Sequence, residues 1–152
     1  MAVRKMITMN PQITIVDDTH FIIDAHHCDN LDGTSYLWSR SNEKRVRINN
    51  YRLAALADAV VERNTPVSFD LLYNIAKGYE VHHIDCDHKN NMLDNLVVVT
   101  KHDHKVVHQM LDDITRALLK GYNGDVTYLI EQYRKIIQDI KIEQRKNHNV
   151  FY

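Results

Sequence analysis

Apolar residues fall in two textures along this chain. In its first third they come in short β-rich runs at residues 13–16, 21–23, 36–38 and 45–48. Polar clusters such as Asp17-Asp18-Thr19-His20 and Asp29-Asn30-Leu31-Asp32-Gly33 separate the runs. Runs of this length bounded by Asp, Asn, Ser and Gly predict strands, the last two forming a hairpin around Ser41-Asn42-Glu43-Lys44. Further on the period changes. Residues 53–63 are rich in Ala and Leu and predict a helix. A second helix is expected between Ser68, as its N-cap, and Gly78.

Residues 79–84 and 96–99 then predict two strands flanking a polar loop. Thr100, with Asp103 three residues on, forms a short-armed capping box for a helix reaching Lys120. A last helix over residues 126–145 carries Leu129, Ile130, Tyr133, Ile136, Ile137 and Ile140 at helical spacing. Its stripe is expected to pack on Met110, Leu111, Ile114 and Leu118, with a dimer seam as the alternative. The class predicted is α+β in three parts: a β-rich and helical region (1–78), a strand–loop–strand–helix unit (79–111), and C-terminal helices (112–152).

Composition adds exclusions. With 152 residues, 44% hydrophobic and 26% charged, the chain is globular rather than disordered. Cys28 and Cys86 form no C-x-x-C pair, which disfavours a disulfide framework or a cysteine-based zinc ribbon. Polar residues interrupt the start, and no apolar run approaches a membrane span. A cytoplasmic protein without a signal peptide is the expectation. A net charge of −1 opposes a uniformly basic nucleic-acid coat. It averages unlike segments, however. Residues 17–32 hold five Asp and no Lys or Arg, whereas residues 36–52 hold Arg40, Lys44, Arg45, Arg47 and Arg52 against Glu43 alone. With Tyr36, Trp38 and Tyr51 beside it, this basic hairpin suits phosphates and base edges, the alternative being a solvated face.

The candidate chemistry lies in the histidines. Six of the ten fall between positions 82 and 108. His82 and His83 are adjacent on a predicted strand and so point to opposite faces. His104 and His108 are four apart on a helix and share one face, which His102 does not. A strand histidine with such a pair makes a plausible three-imidazole metal site. His20, His26, His27, His88 and His148 read as structural or exposed, and Cys28 and Cys86 as ordinary reduced thiols. Asn90 and Asn91 read as loop formers.

The stretch Val81-His82-His83-Ile84-Asp85, then Asn90-Asn91-Met92-Leu93-Asp94-Asn95-Leu96, then Thr100, His104 and His108, resembles the HNH nucleases, over about 30 residues. That resemblance implies a ββα-metal unit with an N-terminal β-rich DNA-binding segment before it; the helices after it are expected to form a hairpin from their own pattern. It implies His83 as general base, His82, His104 and His108 as metal ligands, and Asn95 as the residue that holds the loop and orients His83. It implies one divalent ion, magnesium or manganese first and zinc or nickel as alternatives, and DNA as partner. Phosphodiester hydrolysis needs a base that titrates near neutrality and positive charge at the phosphorane and leaving oxygen, which imidazole and a divalent ion supply. The expected function is a metal-dependent DNA endonuclease, most like small free-standing phage homing endonucleases. The competing readings are a nonspecific HNH nuclease and a non-catalytic zinc-stabilised nucleic-acid-binding module.

Overall fold

The apolar runs of the first part become antiparallel strands, since alternate residues can then share one core-facing side. The computed structural model describes residues 11–26, 28, 30–39, 44–120 and 123–146. Strand β1 (Gln12–Ile15) pairs with β2 (His20–Asp24). β3 (Thr34–Ser39) and β4 (Lys44–Asn49) form a separate hairpin in which Leu37 lies opposite Val46. Residues 40–43, with the expected turn and Arg40, lie outside the described residues.

Helix α1 (Asn50–Val60) begins before the expected residue 53, and the reason is a buried anchor. The Asn50 backbone N–H donates to the Gly33 carbonyl at 3.0 Å, and its side-chain Nδ2 donates to the Asp32 carbonyl at 2.8 Å. Gly33 turns there at φ +83°, a conformation open to a residue without a Cβ. The helix ends where Val61 becomes extended, so residues 61–63 fall outside it. Leu53, Leu56 and Val60 are fully buried, each contributing roughly 1.5–3 kcal/mol relative to an exposed side chain. A two-residue strand, β5 (Val67–Ser68), joins the β1–β2 sheet through β2. Helix α2 (Phe69–Gly78) follows, with the Ser68 hydroxyl accepting from Leu71 N–H at 3.1 Å, as the cap signal predicts.

Strands β6 (Tyr79–His83) and β7 (Leu96–Thr100) pair antiparallel, with His82 opposite Val97 and His83 opposite Leu96. Both faces of this ribbon are covered. Tyr79, Val81, Leu96 and Val98 join the core built around α1. Val97 and Val99 join a second core with helices α3 (Lys101–Lys120) and α4 (Asn123–Lys146). Burial on two sides explains the unbroken apolar run from Leu96 to Val99. The Thr100 hydroxyl accepts from Asp103 N–H at 3.0 Å and starts α3 on the strand's last residue.

α3 and α4 form the expected hairpin, closed by Val107, Ile114, Tyr133 and Ile137 with Met110, Leu111, Leu129, Ile130, Ile136 and Ile140. Leu118 departs from the expected stripe and is exposed, beyond the last shared turn of that core. The described residues thus form an α+β fold of seven strands in three small sheets and four helices. No helix among them is long and apolar enough to cross a membrane.

Candidate active site

Strand alternation divides the adjacent histidines between the two covered faces. His82 turns toward α3 and α4, while His83 turns toward α1, and both are buried. His104 and His108 lie one turn apart on α3 with ring centroids 4.5 Å from each other. The His82 ring is 5.4 Å from one and 5.2 Å from the other. One ring nitrogen from each of the three lies within 4.8 Å of the others. Imidazole nitrogens sharing a tetrahedral ion at about 2.0–2.1 Å sit roughly 3.4 Å apart. The 2.9 Å between His104 Nε2 and His108 Nε2 is of that order. His102 on the same helix is exposed and stays outside the group.

The partners of two of these rings decide which nitrogen carries the proton. Tyr133 Oη donates to the Ile84 carbonyl at 2.7 Å, which uses its only proton. Burial pushes the Tyr133 hydroxyl pKa up and keeps that proton in place. The 2.7 Å contact between His82 Nε2 and Tyr133 Oη therefore has the ring donating, and Nδ1 retains the lone pair a metal needs. Burial first, then the neighbouring His108 and His104, pushes the His82 pKa down to about 4, so the ring is neutral, as a ligand must be. His104 Nδ1 donates to the Glu80 carboxylate, leaving Nε2 for a metal. That hydrogen bond from His104 holds Glu80 below the usual carboxylate range. The donor set fits a divalent ion: two rings have a ligating nitrogen exposed by a partner on the other, and the third is within reach.

On the opposite face, His83 Nε2 meets Asn91 Oδ1 at 2.7 Å, in a buried setting. Asn95 holds the loop, but its side chain does so through Asp85 and Asn90. Its Oδ1 accepts from Asp85 N–H at 3.0 Å, and its Nδ2 donates to Asp85 Oδ1 at 2.8 Å and to the Asn90 carbonyl at 3.0 Å. The contact to His83 expected of Asn95 is made by Asn91 instead. Asn95 lies in the 3-10 turn Leu93–Asn95, where its backbone carbonyl accepts from Ile84 N–H at 2.8 Å. Asp85 opens the loop and bonds Asn90, Asp87 and Asn95; the Asn90 bond does most to lower its pKa.

Both faces open on one cavity of about 190 Å³, lined by Tyr51, Val81, His82, His83, Cys86, His88, His104 and His108. His88 is exposed, as expected, and its ring centroid lies 5.1 Å from that of His83. Tyr51, directly after the basic hairpin, places its ring centroid 5.1 Å from that of His83. Cys86 takes a left-handed φ of +65° at the loop's turn, and burial raises its thiol pKa. Arg45 and Arg47 are exposed on β4, and the Arg45 guanidinium stacks 4.2 Å over the Tyr36 ring. Arg52 is engaged inside the fold: its guanidinium donates to the Ala76 carbonyl and, at 3.1 Å, to the Tyr79 carbonyl. Arg40 and the Lys44 side chain lie outside the described residues.

Four contributors were not read from the sequence as parts of the site. Glu80 was within reach of the alternation rule, being two residues before His82 on the same strand face. Tyr133 carried only the signal of a core stripe, and Asn91 that of a polar loop. His88 carried no signal beyond its place in that loop.

Comparison with known proteins agrees with this geometry over one segment. The family model described as HNH endonuclease matches residues 74–106, about a fifth of the chain. The segment runs from the middle of α2 into α3 and includes His82, His83, Asn91, Asn95 and His104. No curated protein and no solved structure matches the chain.

Proposed function

We propose that the protein is a metal-dependent DNA endonuclease of the HNH type. The observation that carries this reading is the shared cavity, into which one strand brings His82 of the metal group and its immediate neighbour His83. His82, His104 and His108 would hold one divalent ion, which when bound supplies positive charge to a phosphate and its leaving oxygen. Three imidazoles suit zinc or nickel better than magnesium, whose preferred donors are oxygens. His83 would take a proton from the attacking water, and its position beside His82 would keep that water close to a phosphate held at the metal group. Asn95 holds the loop that follows His83 in place. Arg45 and Arg47, with Arg40 and Lys44 from the same hairpin, are assigned to the DNA backbone. Arg52 is not assigned to it, because its guanidinium binds carbonyls of the chain itself. A basic hairpin preceding the nuclease unit supports a homing-type enzyme over a nonspecific one.

The test is cleavage of supercoiled plasmid with magnesium, manganese, nickel or zinc, against a chelator control. His83→Ala is expected to lower the rate by about 10²–10⁴-fold while metal binding persists. His82→Ala and His104→Ala are expected to lose the metal. An unchanged rate in purified His83→Ala protein would sink the reading. Binding of zinc and DNA with no cutting under any ion would instead establish the non-catalytic module.

A further inference from the structure

The loop carrying Asn30, Leu31 and Asp32 lies far from the histidines in sequence and outside the matched segment, yet it is hydrogen-bonded to the residue that meets His83. Asn91 N–H donates to Asn30 Oδ1 at 2.7 Å, and Leu31 N–H donates to the Asn91 carbonyl at 3.1 Å. Asn91 Nδ2 donates to Asp32 Oδ1 at 3.0 Å, and Asn30 Nδ2 to Asp32 Oδ2 at 2.8 Å. Leu31, between the two polar residues, is fully buried, and Asn50 secures the Asp32 carbonyl from the start of α1.

The direction of these bonds has a chemical consequence. A carboxylate only accepts, so the end of the Asn91 amide that faces Asp32 must be its NH2. The carbonyl end then faces His83, and Oδ1 too can only accept. His83 Nε2 must therefore carry a proton, so in the neutral ring the lone pair is on Nδ1. From this geometry we infer that Asp32 is a positioning residue: acting through Asn91, it sets the tautomer and orientation of His83 and so selects Nδ1 as the nitrogen that takes a proton. The role of that nitrogen rests on the nuclease reading above; the tautomer does not. The site is thus completed by a segment that the family resemblance does not cover.

The test uses full-length, 15N-labelled, metal-free protein and long-range proton–nitrogen correlation spectra, which distinguish the two neutral tautomers of His83. Wild type is expected to show the Nε2–H form alone. Asp32→Ala is expected to show a mixture, and to cut plasmid roughly 10- to 100-fold more slowly with DNA affinity unchanged. The exchange Asp32→Asn with Asn91→Asp keeps each of these hydrogen bonds but reverses the one between positions 32 and 91. The carboxylate moved to position 91 would accept from His83 and from the amide moved to position 32, whose oxygen would accept from Asn30. The exchange is expected to restore the single tautomer and most of the rate, while Asp32→Asn alone, which lets the Asn91 amide turn, is expected to show the mixture and decides the matter if Asp32→Ala does not fold. An Nδ1–H tautomer in wild type, a single unchanged tautomer in Asp32→Ala, or a mixed one in the exchanged protein would each overturn the inference. So would a changed tautomer with an unchanged rate. A wild-type protein that cuts no DNA would overturn the nuclease reading, while the spectra would still decide the tautomer.

Discussion

Tyr133→Phe removes one oxygen and leaves a ring that fits the same place. Tyr133 is buried on α4, and its ring packs in the core shared by α3 and α4. The hydroxyl makes two 2.7 Å bonds, accepting from His82 Nε2 and donating to the Ile84 carbonyl. Its loss leaves a buried ring N–H without an acceptor and a carbonyl without a donor. Each orphaned group costs about 1–3 kcal/mol in full burial, and Ile84 is only half-buried, so the sum is about 2 kcal/mol. For a domain of this size that lowers Tm by roughly 4–8 °C. His82 also loses the partner that fixes its tautomer, and metal affinity is expected to fall by about 10- to 100-fold. Thermal melting followed by circular dichroism, with and without chelator, gives the first quantity, and competition against a zinc-binding dye gives the second. Tyr128→Phe, an exposed change on the same helix, is the control and leaves both unaltered. Wild-type zinc affinity in Tyr133→Phe would refute the claim that this hydroxyl sets the ligating nitrogen, whatever the melting temperature does.

Three other outcomes follow from the geometry. The metal-free protein loses stability as the pH falls. His82 has its folded pKa at about 4 against an ordinary 6.5, so the unfolded chain binds the extra proton between those values. Stability is therefore full above pH 6.5 and declines toward pH 4, by on the order of 3 kcal/mol; melting curves in chelator that do not move over this range would contradict it. Glu80 and Asp85, both held low, extend the same loss to more acid pH. Cys86→Gly relieves a left-handed backbone and raises stability by up to about 1 kcal/mol, whereas Cys86→Val lowers it; equal melting temperatures for the two would count against strain at that turn. Thr100→Ala removes the cap of the helix that carries His104 and His108 and costs about 1 kcal/mol, while Thr100→Ser retains most of it in urea titration.

Features set by local chemistry were readable in the sequence. The opposed faces of His82 and His83, the shared face of His104 and His108, and the caps at Ser68 and Thr100 all depend on spacings of a few residues. Features set by distant segments were not. The two-residue strand β5 exists only because Val67 finds Phe21 across from it, and nothing in its own sequence marks it. Helix α1 starts at Asn50 because the loop at Asp32 and Gly33 receives that side chain and backbone. Asn91 looked like its neighbour Asn90, and only the fold separates the one that meets His83 from the one that bonds Asp85. Tyr133 looked like any core aromatic, since its hydroxyl finds His82 only once α4 has folded back along α3.

The ribbon of β6 and β7 is covered on both faces, and this limits how the matched segment can be handled as a part. A fragment trimmed to residues 74–106 would retain His82, His83 and His104 but lack His108, Tyr133 and Asp32. It would also expose Leu96 and Val98 on one side and Val97 and Val99 on the other. Grafted onto another scaffold, that segment would carry the recognisable motif without the groups that aim its rings. A transplant that keeps its chemistry has to begin before Asn30 and continue past Tyr133, which makes the portable unit most of the protein.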